Sequence, residues 1–195
     1  MRAKKANWLL ILGAALIFIS LCIVLFFCLQ MHTAQESATE VLQKIEAVLP
    51  ERTPADSLLS GGMMPVLQID GTDYVALLEI PAWDVALPIA DNWETRASDY
   101  TPARFAGSIY GETLTLGGAD AAGHFAFCDQ IELGTPVWVT DMTGAQFAYT
   151  VARVDRATEA NAAWLTDTHW NLTLFCRDTY SMDYIAVRCL FSHRP

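Results

Sequence analysis

Few residues in this 195-residue chain can act as nucleophiles or carry protons. Of five cysteines, Cys22 and Cys28 lie inside a long apolar run, which leaves Cys128, Cys176 and Cys189. Three is an odd number, so at least one is unpaired within the chain. Their spacings of 48 and 13 residues match no zinc motif. Cys176 stands at the end of the apolar run in "WNLTLFCRDTYSMDYIAVRC", Trp170 to Cys189. The adjacent Arg177 would lower the pKa of an open thiol and favour the nucleophilic thiolate. His169 precedes the same run and is a candidate to approach Cys176 in space, while His32 and His193 sit at the chain margins. Asp91, Glu94 and Asp99 share a loop without the fixed ligand spacing of a calcium site. Asp155, between Val154 and Arg156, belongs to no carboxylate cluster, and no Gly-rich phosphate loop is present. These patterns call for no metal and no cofactor.

The elements that must position these groups change character along the chain. Trp8 to Leu29 is 22 residues without a charge. At about 1.5 Å per residue it spans roughly 30 Å of hydrocarbon, so residues 8–30 are expected to form a transmembrane anchor. The run is longer than the apolar region of a cleaved signal peptide. Arg2, Lys4 and Lys5 precede it, which places residues 1–7 in the cytoplasm and the rest outside a single-pass cell-membrane anchor. The external part holds nine Lys/Arg against 22 Asp/Glu, a formal charge of −13. Such a surface repels nucleic acid.

Residues 31–63 read as a short stalk helix and a linker. Val41, Leu42, Ile45, Val48 and Leu49 recur at helical spacing, and Pro50 ends the run. That apolar face packs either on the adjoining domain or on a sister chain, so residues 38–49 are a candidate oligomerisation element. From residue 64 onward the pattern is β. "YVALLEI", "VALPIA", "TLTLGG", "TPVWVTD", "AQFAYTVARV", "WNLTLF" and "YIAVRCLF" are divided by Gly, Pro, Asp and Asn. Seven or eight short strands over residues 64–195 predict a sandwich or a closed barrel. Asp141 to Gly144 reads as a hairpin loop, and residues 154–170 as a long connection containing a helical turn.

The order of these pieces resembles the sortase family, membrane-anchored cysteine transpeptidases of Gram-positive surfaces, in its class B-like form. The resemblance covers about residues 65–190. It rests on "DYVALLEIPAWDVALPIADNW", "GSIYGETLTLGGADAAGHF", "IELGTPVWVTDMTGAQFAYTV" and "WNLTLFCRDTYSMDYIAVRC", in that order behind an N-terminal anchor. It implies a mainly β fold, an eight-stranded closed barrel. It also implies cleavage of a sorting signal after a threonine and transfer of the acyl group to an amine, using a Cys nucleophile, a His acid/base and an Arg near the oxyanion.

Carried over position by position, the chemistry is missing. The family's histidine strand reads roughly "N-L-V-I-A-G-H-N", with "H-F" following four residues later. Here "TLTLGGAD" followed by His124-Phe125 puts Ala119 at the histidine position, and His124 on a neighbouring residue. Alanine carries no proton to exchange. The family's cysteine block runs from a Trp to "R-x-x-V-R-C". Trp170 and Val187-Arg188-Cys189 fix its two ends without a gap, which puts Arg177 at the nucleophile position and Tyr184 at the arginine position.

Side chains alternate along a strand, so Trp170, Leu172, Leu174 and Cys176 share one face, and Asn171, Thr173, Phe175 and Arg177 the other. Two readings of Cys176 remain open: an unreactive core thiol, or a nucleophile turned outward by a bulge. The resemblance therefore implies a degenerate sortase-like protein that binds a surface-protein or sorting-signal-like segment, or assists an active sortase. The alternative is a divergent active sortase that uses Cys176 to attach surface proteins to the cell wall or to pili. A third reading is purely structural, with the stalk as the assembling element.

Overall fold

The computed structural model describes residues 2–55, 62–95, 101–111, 113–121 and 123–192. Within the first helix, side chains are described at 13, 15–26 and 38–48. Helix α1 spans Arg2–Val48. The strands are β1 (Thr53–Pro54), β2 (Leu67–Ile69), β3 (Thr72–Ile80), β4 (Val85–Ala90), β5 (Ala103–Gly107), β6 (Leu114–Gly117), β7 (Pro136–Asp141), β8 (Ala145–Ala157), β9 (Leu172–Arg177) and β10 (Tyr184–Phe191). Helix α2 (Ala162–Leu165) lies between β8 and β9. Short 3-10 turns occupy Pro81–Trp83 and Ala126–Asp129.

Eight strands close on themselves. Pairing runs β3–β4–β5–β6–β9–β10–β8–β7 and back to β3, with β1 added to β8 and β2 to β3. Closure leaves the ring no free edge. The link between β4 and β5 is the slightest, a single parallel pair, Ala90 with Ala103. The barrel interior holds Leu78, Ile80, Leu87, Ile89, Leu114, Leu116, Phe125, Phe147, Leu172, Leu174, Ile185 and Val187 among others. Strands β9 and β10 each bury five consecutive residues. An alternating strand does this only when both its faces are covered, and what covers the outer face determines how open the site is.

The chain divides into two compact units, Met1–Ser37 and Ala38–Pro195. A separate anchor and stalk helix were expected; the backbone forms one continuous helix, because no Pro or Gly interrupts residues 14–48. Among the described residues no helix is long and apolar enough to cross a membrane. The described side chains from Leu16 to Phe26 include nine large apolar residues, each more than half exposed. In the second unit, Ile45 is fully buried with Tyr74, Ala90 and Ala103, and Val41 and Leu49 pack beside it. Burying an isoleucine contributes about 2–3 kcal/mol. The apolar face of residues 38–49 is thus spent largely on its own barrel, and Val48 stays exposed.

Candidate functional site

Strands β6 and β9 run parallel, with Leu114 opposite Leu172 and Gly117 opposite Phe175. Their C-terminal ends therefore lie side by side, and the start of β10 joins them, with Tyr184 opposite Arg177 and Ile185 opposite Cys176. Parallel pairing continues one step further, where the Gly118 N–H donates to the Phe175 carbonyl at 3.0 Å. Ala119 follows at once, so register alone gathers Ala119, Arg177 and Tyr184 at one end of the barrel. The Ala119 carbonyl accepts the N–H groups of Ala121 (2.9 Å) and Phe125 (3.0 Å), turning the chain into the loop that carries His124.

The β9–β10 loop at this end is held from several sides. The Asp178 N–H donates to the Asp183 carbonyl at 2.8 Å, and the Met182 N–H to the Asp178 carbonyl at 3.0 Å. The Asp178 carboxylate accepts the N–H groups of Tyr180 (2.7 Å) and Ser181 (3.0 Å). Those bonds hold its carboxyl below the usual aspartate range. Asp120 accepts the Thr179 N–H at 2.9 Å, and Arg156 bridges Asp129 and Asp178. Met182 is held in the left-handed region at φ 64°, a conformation costing a side-chain-bearing residue about 1 kcal/mol or more. Arg177 donates its Nε–H to the Met182 carbonyl at 3.1 Å and lies over the Tyr184 ring, 5.5 Å from its centre. Asp120, Arg156 and Thr179 were not singled out in the sequence. The hydrophilic run "RDTYSMD" signals a turn there but not its ties to Arg156 and Asp120, 22 and 59 positions away.

Cys176 points the other way. It is 1% exposed and belongs to the interior cluster with Leu172, Leu174, Cys128 and Cys189. Burial, then a hydrogen bond to the Cys176 sulfur, pushes the Cys128 thiol up; burial alone pushes up Cys189. Nucleophilic attack needs an accessible thiolate, and this interior stabilises neither exposure nor charge. His169 is displaced from it. Its ring is 86% exposed and its Nδ1 lies 2.6 Å from Asp167, before the first residue of β9. Cys176 is four residues further along the strand from Leu172, roughly 13 Å at about 3.3 Å per residue. The expected approach of His169 to Cys176 is therefore not met.

His124 is 3% exposed, and burial lowers its pKa below the ordinary imidazole value of 6.5. Protonation favours the unfolded chain, where the imidazole is solvated. Stability is therefore full above the unfolded value and is lost as pH falls below it. Thermal unfolding should show Tm falling between pH 7.5 and 5.5, and His124→Gln should flatten that slope. Asp167 and Asp178, both lowered from 3.8, add their own losses only further into acid.

Above this end, the outer face of β9 and β10 is covered. Phe175 packs against Trp93 and Phe105, each with ring centres 5.4 Å away. Asn161 caps α2 by accepting the Trp164 N–H at 2.8 Å, which sets the α2 turn across the face. Arg188, 1% exposed, donates to the carbonyls of Trp164 (2.6 Å) and Leu165 (3.2 Å), to Thr173 Oγ1 (3.0 Å) and to Asp155 (3.4 Å). Its guanidinium also stacks 4.7 Å from the Trp164 ring centre. Asp155, read from sequence as standing alone, pairs with both Arg153 and Arg188, because β8–β10 register sets Asp155 opposite Ala186 and Arg153 opposite Arg188. At the other side of this end Arg177 is exposed, and Ala119 and Tyr184 are half-buried.

The closed eight-stranded barrel is a sortase-like fold. The chain is similar to the sortase D5 transpeptidase of Clostridium perfringens, at 16% identity and a TM-score of 0.52, over 83% of this chain and 98% of that one. It is similar to a lid mutant of sortase A from Corynebacterium diphtheriae, at 17% identity and 0.53, over 84% and 96%. The sortase C1 of Streptococcus agalactiae gives 16% identity and 0.56, over 66% and 72%. No family model and no curated protein matches the chain.

Proposed function

We propose that this chain is a membrane-anchored surface protein that keeps the sortase-like barrel without its transpeptidase chemistry, and that it binds a surface-protein or sorting-signal-like segment. One observation carries the reading. In the ungapped register of the sequence resemblance, Ala119, Arg177 and Tyr184 fall at the family's acid/base, nucleophile and oxyanion-arginine positions, and the thiol of β9 is 1% exposed. Loss of a proton carrier removes roughly 10²–10⁴ in rate. Loss of an oxyanion donor removes roughly another 10²–10³. The anchor is supported by the uncharged run Trp8 to Leu29, the three preceding cations and the exposed apolar side chains of residues 16–26. A cell-surface setting also fits the formal charge of −13 beyond the anchor.

The full chain in detergent micelles, titrated with a fluorescent sorting-signal peptide, should bind it saturably. Incubation of the same mixture with an excess of amine should yield no cleaved or transferred peptide by mass spectrometry. A transferred product that disappears in Cys176→Ala would make the protein an enzyme and end this reading.

A further inference from the structure

The second unit is strongly acidic, and its cations are almost all paired. Seven Lys and Arg side chains are described between residues 38 and 192. Lys44, Arg52, Arg104, Arg153, Arg156 and Arg188 each lie within salt-bridge distance of a carboxylate. Among the described residues Arg177 alone has no such partner, although Asp178 and Asp120 are close to it in the fold. Their carboxylates are committed elsewhere: Asp178 to Tyr180, Ser181 and Arg156, and Asp120 to Thr179.

Arg177 is also oriented. Its Nε–H is held by the Met182 carbonyl and its Cζ lies over the Tyr184 ring, which leaves the four N–H donors of its two terminal nitrogens for a ligand. Such a pair of nitrogens matches the two oxygens of a carboxylate. The Tyr184 hydroxyl, on the neighbouring strand, adds a neutral donor.

We infer that Arg177, supported by Tyr184, is a carboxylate-binding site that takes the free C-terminal carboxylate of a peptide. The acidic surroundings favour a ligand with a single negative charge over phosphate or a polyanion. Tyr180 (96% exposed) and Met182 (50% exposed), on the same loop, offer apolar surface to the residues preceding that carboxylate. Ala119, half-buried at the same end, presents only a methyl group. The inference rests on the binding reading above and narrows it to a peptide end rather than an internal segment.

Three probes test it on the full chain in detergent: acetyl-Leu-Ala-Thr with a free carboxylate, the same tripeptide as its carboxamide, and acetyl-Leu-Ala-Glu carboxamide. The free acid should bind about tenfold more tightly than its carboxamide, as expected for a charge-assisted bidentate contact. That preference should vanish in Arg177→Gln, shrink in Arg177→Lys and weaken in Tyr184→Phe, with the Tm of each variant within a few degrees of the parent. Equal affinity for acid and carboxamide overturns the carboxylate site but leaves the binding reading standing. Equal affinity for the glutamate probe overturns the preference for a chain end. Binding of none of the three overturns the site, and the sorting-signal titration then tests the broader reading separately.

Discussion

Replacing Gly107 with alanine is expected to destabilise the barrel by about 3 kcal/mol or more. Gly107 ends β5 with φ 76°, in the region where a Cβ costs about 1–2 kcal/mol. A Cβ there would also press into the Thr113 carbonyl, 2.9 Å from its carbon and closer still to its oxygen. That oxygen cannot swing aside cheaply, because it accepts the Ser108 N–H at 3.0 Å. The strain falls on the β5–β6 hairpin, which sits next to the slight β4–β5 junction. For a unit of this size the loss corresponds to a fall in Tm of about 6–12 °C. Gly71→Ala is the control. Gly71 has φ 82° but open space around it, so its cost should be near 1 kcal/mol. Equal losses at the two positions would show that the Thr113 clash contributes nothing.

Arg188→Leu is expected to cost about 3–5 kcal/mol, the usual penalty for removing one partner of a buried ionic network. The substitution leaves the Trp164 and Leu165 carbonyls, Thr173 Oγ1 and one oxygen of Asp155 facing an apolar side chain. It also frees α2, which Arg188 fastens to the outer face. Urea unfolding should show the lower midpoint, and limited proteolysis should open the 158–171 connection before the barrel. Asp155→Leu in the same chain should recover part of the loss, since it removes a stranded charge. A loss below 1 kcal/mol with an unchanged proteolytic pattern would contradict the fastening role.

The strand runs were readable because short apolar stretches bounded by Gly, Pro, Asp and Asn survive in "YVALLEI", "TPVWVTD" and "YIAVRCLF", which coincide closely with β3, β7 and β10. β5 was not, since "ARFAG" is short and rich in small residues, and it is a strand only because β4 and β6 flank it. Alternation from Trp170 groups Cys176 with Leu172 and Leu174, and the three share the interior cluster. The cover over the outer face was hidden. It depends on Arg188 meeting Asp155, 33 residues away, and on Trp93, Phe105 and Phe175 meeting across three segments. Sequence spacing cannot express such contacts. The solitary state of Arg177 is likewise a property of where its neighbours' carboxylates turn.

The most direct test is the reactivity of the thiol at 176. With the folded full chain and a water-soluble maleimide, site-resolved mass spectrometry should find Cys176 unmodified on the timescale that labels a solvent-exposed cysteine. It should become labelled together with Cys128 and Cys189 only when the barrel is unfolded. Rapid labelling of Cys176 alone in the folded chain, with a rate that titrates near neutral pH, would place an activated thiol at the surface and contradict the account.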